Sequence, residues 1–196
     1  MVETITPVVH GGRKKKYWTS VALHALGTTL AAATFGLVLG GIGALLRAPW
    51  GRIGAVVVAV VATMYAVREA LGLRIPLPER HKQVPQWWRD FFSAPVSSFL
   101  YGAGLGIGFF TFLQFGTYVA VAGAAFLSGD PIIGVLICLP FGLTRGLTVV
   151  LTARATEPED AGGLVDILDG WGSTRWPRLV NALALGCVAA AALWTL

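Results

Sequence analysis

The sequence predicts an all-α membrane protein, and three observations support that fold class. Hydrophobic residues make up 55% of the 196 residues and charged residues only 13%, whereas soluble domains have about 45–50% apolar and about 25% charged residues. The mean hydropathy is +0.70. The apolar residues form long runs that lack the polar/apolar alternation of a membrane β-strand, and an open sheet would leave backbone groups unpaired in lipid. We therefore predict a polytopic helical membrane protein.

Five apolar runs, bounded by charged residues or proline, are long enough to cross a bilayer. A hydrocarbon core of about 30 Å needs about 20 helical residues. The first run is too long for a signal peptide, so we expect it to be retained. The third has 32 residues and would extend to about 48 Å as one helix, so we expect it to be broken, tilted or protruding. The five predicted transmembrane helices are 20–46, 53–71, 96–127, 132–152 and 179–196.

Lys and Arg lie almost entirely on one side of this arrangement. Twelve flank the spans on the side of the N-terminus, and the other side has only Arg47 and Arg52. Because the cytoplasmic ends of spans carry the excess of basic residues, we predict a cytoplasmic N-terminus and an external C-terminus in the plasma membrane. The predicted cytoplasmic parts of this single integral membrane domain (1–196) are 1–19, 73–95 and 153–178.

The net charge of +5 bears on the partners. Basic residues that cluster beside membrane spans indicate contact with anionic lipid headgroups, so the lipid bilayer is the expected partner. A nucleic-acid-binding patch should come with a soluble fold that presents it. We therefore expect no nucleic acid partner.

The third span contains the most informative polar residues. Thr111, Gln114 and Thr117 follow at a spacing of three, so a helix would place them on one stripe. An amide that faces lipid would leave two donors and an acceptor unpaired. We therefore predict that Gln114 points into the bundle, either as an interhelical hydrogen-bonding group or as part of a solute or ion path. The preceding glycines favour close helix packing; they are Gly102, Gly104, Gly106 and Gly108.

Arg145 is the one strong charge well inside a predicted span, and His24 is a second candidate near a span end. Arg145 follows Pro140 in the fourth span, and a buried Arg normally marks a functional site. The alternative is that its guanidinium extends to the cytoplasmic headgroups, because Arg154 is only nine residues further on. His24 is just inside the first span, beside the basic N-terminus, and we expect it at the membrane interface.

The two cysteines are candidate thiols. Cys138 and Cys187 are both predicted about 12 to 14 Å below the outer surface, so neighbouring helices could bring them together. The alternative is that each is an ordinary small core residue. The sequence contains no CxxC motif, metal-ligand cluster, catalytic triad or nucleotide-binding loop. It therefore predicts no catalytic residue, metal or cofactor, and favours a protein that is not an enzyme.

One part of the chain resembles a known family. The stretches LGLRIPLPER (71–80) and SSFLYGAGLGIGFFTFLQFGTYVAVAG (97–123) resemble the transmembrane domain of the cytochrome-c-biogenesis and thiol-disulfide interchange family, the CcdA/DsbD-type proteins. The resemblance implies that the five spans correspond to helices two to six of a six-helix core built from two inverted repeats. The family's first helix has no counterpart in the sequence.

The family's reactive residues have no counterpart either. Its fourth helix typically carries a Pro-Cys pair followed by Gly-Pro. Leu113 and Gln114 stand near the first pair, and Gly116 and Thr117 near the second. Thiol exchange needs two sulfurs, so the resemblance implies a degenerate member that shares the fold and lacks the thiol relay.

Three functions follow from these observations. The resemblance implies a non-catalytic membrane subunit or scaffold for a redox or maturation partner, which would be another membrane protein or a thioredoxin-like protein. The region of Gln114 and Arg145 would instead suit a small-solute or ion transporter. Cys138 and Cys187 would suit a membrane redox protein.

Overall fold

The computed structural model describes residues 5, 7, 10, 13–46, 51–76, 87–108, 116–154, 160, 163, 166–167, 170–172 and 174–194. All regular structure within these residues is helical, so the predicted all-α class is confirmed for them. The helices are α1 Lys14–Leu45, α2 Gly51–Leu71, α3 Trp88–Phe91, α4 Ala94–Gly106, α5 Thr117–Leu127, α6 Pro131–Leu147 and α7 Trp176–Trp194, and a 3-10 segment, η1 Thr148–Arg154, follows α6.

Four of the described helical segments are long and apolar enough to cross a membrane. They are α1, α2, the segment Pro131–Ala153 formed by α6 and η1, and α7. The predicted count of five is not confirmed, because the third predicted span corresponds to two shorter helices. These are α4 with 13 residues and α5 with 11 residues.

The long third run is interrupted after α4. Gly108 has a φ of +65°, a left-handed conformation that glycine adopts readily and that commonly ends a helix. The Gly108 N–H donates to the Leu105 carbonyl at 3.1 Å, which closes the last turn. The expectation that this run is not one straight helix therefore agrees with the structure.

The described residues form two compact units. Unit 1 takes its described residues from Met1–Ala32, Lys82–Thr111 and Pro140–Thr174. In it, α1 meets α4 and the end of α6 through glycines: a Cβ added at Gly102 would lie 3.1 Å from the His24 Cα, and one at Gly106 would lie 2.9 Å from the Thr28 Cα. A Cβ at Gly146 would lie 2.8 Å from the Ala25 Cα. Small residues thus bring the helix backbones together, as predicted for Gly102 and Gly106.

Unit 2 takes its described residues from Ala33–His81, Phe112–Leu139 and Arg175–Leu196. Side chains of α2, α5 and α7 form its core. A second contact joins α1 and α6, where a Cβ added at Gly36 would lie 2.7 Å from the Gly134 carbonyl carbon. The buried residues of this cluster are Ala62, Tyr65, Ala120, Leu185 and Ala189.

Candidate functional site

Buried polar side chains occur in both units, and we describe one group in each. In unit 1 three of them form the α1 polar stripe, which we define as Ser20, His24 and Thr28. In unit 2 the buried Glu69 lies at the start of α5 with partly buried polar neighbours, and we define the α5 cap as Arg68, Glu69, Gly116, Thr117 and Asn181.

The α1 polar stripe follows directly from helical spacing. Ser20, His24 and Thr28 are four residues apart, so they lie above one another on one face of α1. Their exposed fractions are 1%, 0% and 0%. Gly102 and Gly106 of α4 lie against the same turns of α1. The face that holds the polar groups is therefore the face that packs inside unit 1.

His24 is the least satisfied member of the stripe. Its Nδ1 atom lies 3.2 Å from the Ser98 carbonyl oxygen, and because a carbonyl can only accept, Nδ1 carries the hydrogen and donates it. In the neutral imidazole Nε2 is then an acceptor. Nε2 is buried and has no hydrogen-bond partner among the described residues. An unpaired buried acceptor costs about 1–3 kcal/mol. The Nε2 atom is therefore the one atom of the stripe whose hydrogen-bonding capacity is unused among the described residues.

The hydroxyl groups beside His24 are already engaged. The Thr28 hydroxyl lies 3.1 Å from the His24 carbonyl oxygen and 2.8 Å from that of Ala25, within the same helix. The Ser20 hydroxyl lies 2.8 Å from Nε2 of His10. Nearby, the Thr152 hydroxyl lies 2.7 Å from the Ile5 carbonyl oxygen. The described N-terminal residues therefore pack over the first turns of the stripe.

The His24 side chain is completely buried and bonded to α4. The repeat of Ser20, His24 and Thr28 at four-residue spacing is the sequence signal for this burial. The expectation that His24 lies at the membrane interface concerns its depth in the bilayer and stays a prediction.

The α5 cap contains a buried charge that the sequence analysis missed. Glu69 is 5% exposed, and its Oε1 atom accepts from Nη1 of Arg68 at 2.5 Å and from the Gly116 N–H at 3.4 Å. The first N–H groups of a helix have no partner within that helix and attract negative charge. The carboxylate of Glu69 therefore neutralises both Arg68 and the start of α5.

Thr117 ties α5 to α7. Its hydroxyl bonds to the Oδ1 atom of Asn181, while the Nδ2 atom of Asn181 has no partner among the described residues. Reversing the amide assignment would exchange the two atoms and still leave one of them unpaired. Thr117 thus makes an interhelical hydrogen bond. The other members of its predicted stripe, Thr111 and Gln114, lie outside the described residues.

The structure places the remaining candidates in α6 and α7. The guanidinium carbon of Arg145 lies 5.8 Å from the centre of the Phe141 ring, a distance typical of a cation–π contact. Its predicted role in a solute path stays a prediction. Cys138 is buried and Cys187 is exposed, and both are free thiols. Among the described residues no group of three or more His, Cys, Asp or Glu could hold a metal ion.

Comparison with known proteins gives a name for the relatives. No family model matches the chain, and no solved structure matches it. It is 35% identical over 174 residues to methylamine utilization protein MauF of Methylophilus methylotrophus, which covers 87% of this chain and 58% of that protein. The chain is similar to MauF proteins. It is also 33% identical over 153 residues to MauF of Paracoccus versutus, covering 76% and 56% of the two chains, and 30% identical over 154 residues to MauF of Paracoccus denitrificans, covering 78% and 56%.

These matches overturn the resemblance drawn from the sequence. The relatives are named as methylamine utilization proteins and not as CcdA/DsbD-type thiol-disulfide proteins. The predicted scaffold for a redox or cytochrome-maturation partner is therefore wrong. The stretch behind that prediction is a glycine-rich apolar segment, a composition that many membrane helices share. The chain spans less than two thirds of the length of these relatives.

Proposed function

We propose that this chain is a membrane-embedded component of methylamine utilization. Two findings support the proposal: the similarity to proteins of that name over 76–87% of the chain, and the four helices that are apolar and long enough to cross a membrane. The match covers 56–58% of each of these relatives. The role that we propose for the chain is therefore argued from its own residues.

The unpaired Nε2 atom of His24 is the observation that supports a functional site in unit 1. An apolar residue would fill the same place in α1 without leaving a buried acceptor unpaired. Histidine inside a membrane-spanning helix is also costly to bury, and it commonly serves a function there. We assign the α1 polar stripe as the functional site of unit 1. In this assignment His24 Nε2 accepts a hydrogen bond from a small donor molecule.

We further propose five membrane crossings, of which the third is divided between α4 and α5. An odd number places the two chain ends on opposite sides, with the N-terminal end in the cytoplasm and the C-terminal end outside the plasma membrane. The distribution of Lys and Arg supports this orientation. Reporter tags at the two ends of the chain test it: we expect opposite sides, and tags on the same side would require an even number of crossings.

Growth experiments test the proposed function. In the native bacterium, deletion of the gene should abolish growth with methylamine as the sole nitrogen source and leave growth on ammonium unchanged. The wild-type chain should restore growth on methylamine. Normal growth of the deletion strain on methylamine would contradict the proposal.

Variants then test the assigned site. His24→Leu should fail to restore growth on methylamine at equal protein level. Thr29→Val is the matched control, because within the described part of the chain the Thr29 hydroxyl bonds only to the Ala25 carbonyl of its own helix. It should restore growth. If both variants restore growth, the α1 polar stripe is not the functional site, while the proposed role of the chain in methylamine utilization still stands.

A further inference from the structure

A cluster of exposed aromatic side chains precedes α4. We define the aromatic turn as Trp87, Phe91 and Phe92, whose exposed fractions are 53%, 78% and 42%. The Trp87 ring lies 5.7 Å from the Phe91 ring and 6.4 Å from the Phe92 ring, measured between centroids. The three rings therefore form one continuous apolar surface.

The aromatic turn is held firmly against the first turns of α4. The Ser97 hydroxyl lies 2.9 Å from the Trp88 carbonyl oxygen and 3.3 Å from that of Phe92. The Trp88 ring meets the Tyr101 ring edge to face, with the centroids 6.0 Å apart. The exposed surface is thus part of the folded structure, and its position fixes the position of the start of α4.

The length of α4 limits how deep it can reach. Its 13 residues, Ala94–Gly106, contain no charged residue and extend about 20 Å at 1.5 Å per residue. A bilayer has a hydrocarbon core of about 30 Å. A helix of this length that starts at the membrane surface must end within the hydrocarbon.

We propose that the aromatic turn lies in the lipid–water interface and anchors α4 there as a half-length membrane helix. Aromatic residues, Trp above all, are enriched at this level of membrane proteins because their rings combine an apolar body with a polar or polarisable edge. The sequence between α2 and α3 has three basic residues, Arg74, Arg80 and Lys82, against one acidic residue, Glu79, and an excess of basic residues in sequence next to a membrane helix is typical of a segment that meets anionic headgroups. Lipid is therefore the occupant of this surface.

Depth-dependent fluorescence quenching tests the proposal in the full chain. One protein retains Trp87 as its sole tryptophan and a second retains Trp88, with every other tryptophan replaced by Phe. Both are reconstituted in vesicles that contain phosphatidylglycerol and phosphatidylcholine brominated near the headgroup or near the chain end. We expect shallow bromine to quench Trp87 at least twofold more than deep bromine. Trp88, which packs against Tyr101, should be quenched less than Trp87 by either lipid.

The far end of α4 provides the second arm. A protein whose sole tryptophan is Ile107→Trp should be quenched more by deep than by shallow bromine. If shallow bromine is more effective there as well, α4 lies along the surface and the half-length helix is refuted. If Trp87 is quenched by aqueous iodide and not by brominated lipid, or is shielded from both, the anchor is refuted in favour of water or a protein partner.

A spin label covers the case in which the tryptophan replacements do not fold. Phe91→Cys, in a protein with Cys138 and Cys187 replaced by Ala, carries a nitroxide at the most exposed ring of the turn. We expect the nitroxide to be more accessible to oxygen, which concentrates in lipid, than to a water-soluble nickel chelate. The reverse order would refute the anchor.

Discussion

Glu69 in unit 2 and His24 in unit 1 are both buried, but their polar atoms are satisfied to different degrees. In unit 2 the Glu69 carboxylate has a guanidinium and a helix N–H as partners, so its charge completes the fold. In unit 1 the imidazole of His24 has a partner for one nitrogen and none among the described residues for the other. A satisfied polar group can be explained by stability, whereas an unsatisfied one adds cost and calls for another explanation. The Nδ2 atom of Asn181 in the α5 cap also lacks a partner among the described residues, so the contrast is between Glu69 and His24. We therefore expect substitution of Glu69 to affect stability and substitution of His24 to affect function.

The largest effect is expected from Glu69→Ala. The substitution leaves the mostly buried Arg68 and the Gly116 N–H without their shared acceptor, and removal of one partner from a buried ion pair costs about 3–5 kcal/mol. Unfolding of the purified protein in detergent micelles should show a loss at the lower end of this range, since Arg68 is partly exposed. Glu69→Gln, which keeps an acceptor oxygen, should lose less. An unchanged unfolding free energy in Glu69→Ala would show that Glu69 does not stabilise the fold, which would contradict the contrast drawn with His24.

A smaller loss is expected from Gly106→Ala in unit 1. The added methyl group would overlap the backbone of Thr28, and overpacking of this kind costs about 1–3 kcal/mol. Gly123→Ala in α5 is the matched control, because a Cβ there would meet no atom of another described element within 4 Å. Alanine favours a helix by up to about 1 kcal/mol over glycine, so the control should be neutral or stabilising. Equal losses in both variants would show that the α1–α4 contact is not formed through Gly106.

The smallest expected effect is a difference in stability between two threonine variants, Thr117→Val and Thr28→Val. Thr117→Val removes the hydrogen bond between α5 and α7, and such bonds contribute about 0.6 kcal/mol in membrane proteins. Among the described residues the Thr28 hydroxyl bonds only within α1, so we expect Thr28→Val to change the unfolding free energy less than Thr117→Val does. The comparison is made by unfolding both variants under identical detergent conditions. The opposite order would mean that the Thr28 hydroxyl contributes more to stability than the hydrogen bond between Thr117 and Asn181.

The fold class was predictable from composition, while the number of spans was not. The long apolar runs led to α1, α2, α6 and α7 with ends close to those observed, because burial in lipid depends on local sequence. The third run was longer than a bilayer-crossing helix needs to be and contained closely spaced glycines, and both features indicated a break. Its division depends on the left-handed conformation of Gly108, which the sequence permits but does not require.

The buried polar groups were harder to predict because their partners are distant in sequence. Glu69 lies near the end of the predicted span 53–71 with no polar pattern around it, and its partner Gly116 is 47 residues away. His24 was judged by its proximity to the basic N-terminal residues. Its burial follows from contact with Ser98, 74 residues away. Local pattern therefore identified polar positions but not which of them would be enclosed.

His24→Leu tests the central claim most directly, when the unfolding free energy and the growth phenotype are measured on the same variant. Leucine removes the unpaired acceptor and the hydrogen bond to Ser98, so we expect the unfolding free energy to change by less than about 1 kcal/mol. Growth on methylamine should be lost in the strain that depends on this chain. A loss of stability well beyond that value with growth on methylamine retained would show that His24 is a structural residue, and would contradict the account.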